Sequence, residues 1–272
     1  MSGKVYLVGA GPGDPELLTR KAWRVLQTAD VVLHDELVSK EILCVLPPAA
    51  EILNVGKRCG AKRISQPEIN ELMIRAAREG RIVARLKNGD PLLFGRAGEE
   101  IEALRAAGVE FEVIPGVTAV LGAAASARFS LTDRRHASRV VFLTAHRADG
   151  AGLSAERNDP ASTTYVIYMP GHRYAELAKE LKAAGIGSEV ACAVISRATT
   201  QEEKVYRTTV GKLPECPAAA APSLLVIGEV AGAVEGDEVL EGEISRAACE
   251  EVLSLALQHP FHEDVYGRSS AE

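Results

Sequence analysis

The stretch KVYLVGAGPGDPELLTRKAWRVLQTADVVLH, residues 4–34, decides the fold. Its apolar opening reads as a strand ending at Gly9, the spacing that follows predicts a helix over residues 15–29, and the apolar run at 31–33 reads as a second strand. Strand, glycine turn, helix and strand make a β-α-β unit. The alternation continues with helices predicted at 39–46, 67–79 and 97–107 and strands at 51–55, 81–86 and 109–114. Such a pattern argues for a parallel sheet with helices on both faces. An Ala-rich helix at 118–127 leads into the basic segment LTDRRHASR (131–139), read as the connection between domains. Beyond it, strands at 140–144, 163–169, 189–195, 204–209 and 224–230 and a helix at 173–184 form a smaller α/β unit with more hairpin character. The expected fold is therefore α/β, in two α/β domains, 1–133 and 134–245. A helix within ISRAACEEVLSLALQ and a frayed tail make up the third segment, 246–272.

The composition excludes several classes. With 272 residues, 47% hydrophobic and 25% charged, the chain is neither disordered, collagenous nor a coiled coil. Its 31 Lys and Arg against 37 Asp and Glu give a net charge of −6 without a run of like charge, so no nucleic-acid surface is expected. Five cysteines without a C-x-x-C pair or a paired His encode neither a disulfide framework nor a metal site, and they suit reduced cytoplasm. No apolar stretch approaches the roughly 18 residues of a membrane span, and no signal peptide is read.

The turn VGAGPGD (8–14) stands where the first strand feeds the first helix, so backbone can approach a ligand closely there. Gly9 and Gly11 begin a dinucleotide fingerprint, and Asp35 stands where the ribose acid of that motif would be. On pattern alone this leaves an NAD(P)-dependent oxidoreductase open. Asp14, however, occupies the place of the third glycine, and a carboxylate beside a pyrophosphate repels it by roughly 1–4 kcal/mol. A ligand carrying positive charge and no phosphate suits the turn better. The plain alternative is a helix start, with Asp14 as cap and Pro15 in the first turn. Asn88-Gly89-Asp90-Pro91 and Pro115-Gly116 follow two further strands, the position where open α/β sheets place their ligand crevice.

VGAGPGDPELLT, HDELV, VGKR, QPEIN, RLKNGDPLLFGRAGEE, IPGVTA and LTDRR, in that order and spacing, resemble the uroporphyrinogen-III C-methyltransferases of the tetrapyrrole methylase superfamily. The resemblance implies two α/β domains of the class III tetrapyrrole methylase type, with S-adenosylmethionine in the cleft between them, and a homodimer. It implies two methylations of uroporphyrinogen III giving precorrin-2, on the route to sirohaem and cobalamin. The runner-up is another precorrin methyltransferase of the same superfamily. By position, Pro12, Asn88, Gly89, Asp90, Leu93, Thr118, Ala119, Met169 and Ala198 match cofactor-contacting residues. Asp35 and Lys57 align with a proton acceptor and a proton donor, and Arg96, Glu99 and Arg134 with residues facing the tetrapyrrole.

The residue types fit that chemistry. A methyl on a sulfonium is already activated, so alignment matters most, and neither a metal nor a covalent nucleophile is required. Methylating a ring carbon releases a proton elsewhere in the macrocycle, which a base within reach would accept. Asp35 or Glu99 suits that part, with Arg134 a less usual candidate; a helix N-cap is the plain alternative for Asp35. A substrate with many carboxylates suits guanidinium forks, making Arg58, Arg63, Arg96, Arg134, Arg135 and Arg139 candidates. His136 and His146 are weaker ones. The chain departs from the family pattern where Asn88 replaces a glycine, a position expected to tolerate left-handed backbone. It departs again at Ala97, in SARFSLTDRR, which sets Phe129 and Asp133 near the expected substrate entrance, and in SRATTQ (196–201).

Overall fold

The structure is a computed structural model that describes residues 3–56, 58–59, 62–145 and 162–232. Two five-stranded sheets dominate it. In the first, strands β1 (Lys4–Gly9), β2 (Val31–His34), β3 (Glu51–Asn54), β6 (Ile82–Lys87) and β7 (Phe111–Ile114) are ordered β3-β2-β6-β1-β7. All four pairings are parallel, as the strand–helix alternation requires. A short antiparallel hairpin, β4 (Arg58–Cys59) with β5 (Lys62–Arg63), went unread in the sequence because two-residue strands carry no periodicity.

The helices of this half lie on opposite faces. Helices α1 (Arg20–Leu26) and α2 (Lys40–Cys44) bury Ala22, Val25, Leu26 and Ile42 against Val8, Val32, Ala84 and Leu86. Helices α3 (Gln66–Arg78) and α4 (Ala97–Ala106) cover the other face, where Met73, Ala77 and Leu104 meet Val5, Leu7, Leu33 and Val83. Each boundary has a local cause. Ser65 and Glu68 close a capping box at the start of α3. The helix expected over 15–29 is instead a 3-10 turn at Pro15–Leu17 followed by α1. Thr19 splits them, its hydroxyl accepting from Ala22 N and restarting the helix.

The second sheet has the order β11-β10-β12-β9-β8, from β8 (Arg139–Thr144), β9 (Thr163–Tyr168), β10 (Ala191–Ser196), β11 (Lys204–Thr209) and β12 (Ser223–Ile227). Only β8 and β9 are parallel; the remaining pairs are antiparallel. Helix α6 (Tyr174–Ala183) covers one face. Helix α5 (Ala119–Ser126) takes the other, packing Val120, Ala123 and Ala124 on Val166, Ile195, Leu224 and Val226. This helix precedes residue 133 in sequence yet shares its core with the second sheet. The turn that follows is pinned by a bridge between Asp133 and Ala137. The helix expected near residue 244 and the tail lie outside the described residues.

Candidate active site at the strand ends

Strand β1 leaves toward α1 on one face of the sheet, while its neighbour β6 leaves toward α4 on the other. Divergence of adjacent connections opens a crevice at the carboxyl ends of the strands. Backbone forms its floor. Gly11 and Gly89 exchange N–H···O bonds at 3.1 and 2.7 Å, joining the first turn to the second. A Cβ on Gly9 would lie 2.5 Å from Gly116 N and 2.8 Å from Gly89 O, so three strand-end turns touch through main chain alone. Gly89 is left-handed at φ 67°, and Asn88 is not, contrary to the expectation for that position. The Asn side chain keeps ordinary backbone because the next residue makes the bend.

Asp90 ties these turns together: its Oδ1 accepts from Leu92 N at 2.8 Å and its Oδ2 from Gly116 N at 3.0 Å. Asp14 proves to be the cap considered from sequence, accepting from Glu16 N at 2.9 Å. Asn88 Oδ1 is buried without a hydrogen-bond partner. An orphan acceptor of this kind is satisfied when a ligand donor arrives.

The second sheet supplies the facing wall. Thr118 at the start of α5 shares a 2.8 Å hydrogen bond with Tyr168 OH at the end of β9. Burial pushes the Tyr168 phenol up, although its bonds to Thr118 and to the Val120 amide oppose that. Its ring meets Phe94 at 4.9 Å and Phe142 at 6.2 Å between centroids. Met169, next in sequence, is exposed and left-handed at φ 54°. Asp14 N donates to Thr199 Oγ1 at 3.2 Å, and Gly13 packs on Ala198 O and Thr200, so the late loop abuts the first turn. Pro12 sits over Gly122 of α5, where a Cβ would come within 2.6 Å of the proline ring. Leu93 and Ala119 lie partly buried against the core beneath. Pro12, Asn88, Gly89, Asp90, Leu93, Thr118, Ala119, Met169 and Ala198 thus belong to the three strand-end turns and the segments packed against them.

The residues read as catalytic or substrate-facing are more scattered. Asp35 follows β2 and is one-third exposed, its Oδ1 held by Arg85 Nη2 in a short ion pair. It does not cap α2; Ser39 does, accepting from Ile42 N. Lys57 and His146 lie outside the described residues. Arg96, left-handed at the N-cap of α4, forks onto Glu99 at 2.7 and 2.8 Å, with both side chains more than half exposed. That contact holds the Glu99 carboxyl below its usual range and raises Arg96. Arg134 is exposed on the turn after α5. Beside it Arg135 is engaged by Asp133, whose carboxyl it depresses. Arg139 reaches Thr163. Phe129, expected near an entrance, is buried in the core around α5.

Sequence reasoning missed what lies behind Asp35. Side chains of β6 alternate, so Arg85 and Lys87 both point into the α3/α4 layer, where each is only 2% exposed. Glu100 of α4, fully buried, takes Arg85 Nε and Lys87 Nζ on its Oε1, both at 2.9 Å, and Gln66 Nε2 at 3.2 Å. Gly95 leaves room for the lysine, since its Cβ would stand 3.2 Å from Lys87 Cε. Burial lowers the Lys87 ammonium, and Arg85 lowers it further. Arg85 and Lys87 on one face of a strand, with Glu100 further along RLKNGDPLLFGRAGEE, were the available signal, although the sequence does not say that this face turns inward. Among the described residues no group of three or more His, Cys, Asp or Glu could hold a metal. No described helix is long and apolar enough to cross a membrane.

Residues 4–214 match the family model of the tetrapyrrole (corrin/porphyrin) methylases. A uroporphyrinogen-III C-methyltransferase of Paracoccus denitrificans is 43% identical over 250 residues, covering 90% of this chain and 86% of the relative. Siroheme synthase 2 of Aeromonas hydrophila is 46% identical over 230 residues, 84% of this chain and 49% of the relative; the chain thus spans about half the length of that protein. Among solved structures, uroporphyrin-III C-methyltransferase of Thermus thermophilus complexed with S-adenosylhomocysteine superposes with a TM-score of 0.75 at 38% identity, over 85% of this chain and 100% of that one.

Proposed function

The chain belongs to the tetrapyrrole methylases, and from that premise we propose that it is an enzyme that methylates uroporphyrinogen III twice at pyrrole carbons, using S-adenosylmethionine and yielding precorrin-2. Its product would feed sirohaem and cobalamin synthesis. The observation that carries the reading is the set of three strand-end turns closed on one another by main chain, with an orphan acceptor and a carboxylate at their junction.

These residues fit the cofactor. Its bound form supplies a methyl group on a positively charged sulfur. Gly89 and Gly116 let main chain come close, Asn88 Oδ1 accepts a donor, and Asp90, whose oxygens retain further acceptor capacity, faces positive charge favourably. Pro12, Leu93, Ala119, Met169 and Ala198 provide apolar contact, and Thr118 a hydroxyl beside Tyr168. Keeping water from the crevice strengthens each of these interactions.

On the substrate side, Arg96 and Arg134 are exposed forks for propionate and acetate carboxylates, and Glu99 fixes the geometry of Arg96. Asp35 is assigned as proton acceptor, its carboxylate oriented by Arg85. Lys57 is assigned as proton donor. We further propose a homodimer working in the cytoplasm.

Uroporphyrinogen III offered with S-adenosylmethionine tests the reaction: mass spectrometry should find two added methyl groups, and oxidation should give a red-fluorescent product. Turnover of a later precorrin in place of uroporphyrinogen III would favour the neighbouring branch of the family. Titration calorimetry should detect S-adenosylhomocysteine but no NADH; the reverse would favour an oxidoreductase. Light scattering reads the oligomeric state.

A further inference from the structure

Glu100 has no part in the reading above, yet it is the most deeply buried charge among the described residues. It lies on the inner face of α4, four residues before Leu104, in a layer otherwise built from Met73, Ala77, Ala97 and Leu104. An apolar side chain would pack there without the desolvation that an interior carboxylate suffers. The carboxylate is also imperfectly used, since one oxygen serves three donors while Oε2 has none. Packing alone therefore does not explain it.

Its bonds do suggest a role. By fixing Arg85 Nε, Glu100 sets the plane of the guanidinium. That plane carries Nη1 to the Leu33 and Leu86 carbonyls, at 3.2 and 3.3 Å, and Nη2 to Asp35. It also balances charge, because Arg85 and Lys87 together face Asp35 and Glu100. Among the described residues, the neighbouring titratable groups besides Arg85 are His34, whose Nδ1 lies 2.9 Å from the Asp35 carbonyl oxygen, and the exposed Glu36 next in the chain.

We infer that Glu100 is a positioning residue for proton transfer: it absorbs the charge of Arg85 and Lys87 and keeps the guanidinium aligned on Asp35. The inference rests on Asp35 being the proton acceptor of the proposed methylation. Without Glu100, two uncompensated cations would stand behind Asp35 and disfavour its taking a proton. Without Lys87, the balance would tip the other way.

Three variants, Glu100→Gln, Lys87→Met and the double substitution, test this through kcat–pH profiles, the KM for S-adenosylmethionine and S-adenosylhomocysteine affinity. Glu100→Gln should lower kcat about 10-fold and move its acid limb about one pH unit downward, with cofactor affinity within about 2-fold. Lys87→Met should move the acid limb upward, and the double variant should recover kcat to within about 3-fold of the parent. A merely structural role would lower melting temperature and leave the limb in place, which would overturn the inference. Should Glu100→Gln not fold, the direction of the Lys87→Met shift decides alone. Asp35→Asn separates the layers: retained turnover overturns the acceptor assignment and the inference with it, whereas lost turnover beside a silent Lys87→Met overturns the inference only.

Discussion

The two sheets bury polar groups in opposite ways. The first carries Arg85, Lys87 and Glu100 inside its α3/α4 layer and spends their hydrogen bonds at the ends of β2 and β6. The second buries neutral Thr163, Thr164 and Ser196 along its strands, with Glu203 at a loop. A fold needs no interior ion cluster for stability, and well-packed apolar residues generally serve as well or better. The charged interior thus marks the half where the chemistry is proposed, and the apolar one the half that supplies a wall.

The largest expected effect breaks the contrast directly. Arg85→Leu would strand Glu100 and Asp35 opposite Lys87 alone and should cost about 3–5 kcal/mol in denaturant unfolding. Next, Gly9→Val would drive methyl groups into Gly116 and Gly89; we expect a loss of about 1–3 kcal/mol and no measurable S-adenosylhomocysteine binding by calorimetry. Tyr168→Phe probes the seam between the two regions, removing the bond to Thr118 for about 1 kcal/mol and weakening cofactor affinity several-fold.

The smaller effects belong to the second sheet. Burial pushes the Cys192 thiol up to about 12, from 9.0. The unfolded chain therefore loses that proton first, so the thiol's contribution is intact below pH 9 and fades as pH climbs from 9 toward 12. Iodoacetamide mapping at pH 8 should label exposed Cys44 and spare Cys192 until the protein is denatured. Thr164→Val should change stability by less than about 1 kcal/mol, since its buried hydroxyl has no partner to lose.

Much of this was legible in the chain. Parallel strands announce themselves by apolar runs between helices, and Gly9, Gly89 and Gly116 each follow one, so the crevice was readable from turns alone. Three things escaped. The break at Leu18-Thr19 depends on a hydroxyl cap inside an otherwise continuous helical pattern. The hairpin at 58–63 is too short for periodicity. The Arg85–Glu100–Lys87 cluster joins positions 13 to 15 residues apart through tertiary packing, and charge counts do not reveal which side chains turn inward. For Asn88 the family pattern points to the cofactor, but that its side-chain oxygen is buried without a partner is visible only in the folded chain.

Helix α5 has a consequence for how the protein comes apart. It is encoded with the first half and buried in the second, so a fragment ending at residue 133 would display Val120, Ala123 and Ala124 to solvent, and a fragment starting there would lose the helix that covers one face of its sheet. Neither piece is a self-sufficient folding unit. Melting of the two halves should accordingly be concerted, and attempts to swap one of them between relatives will succeed only when the crossover is placed before Ala119.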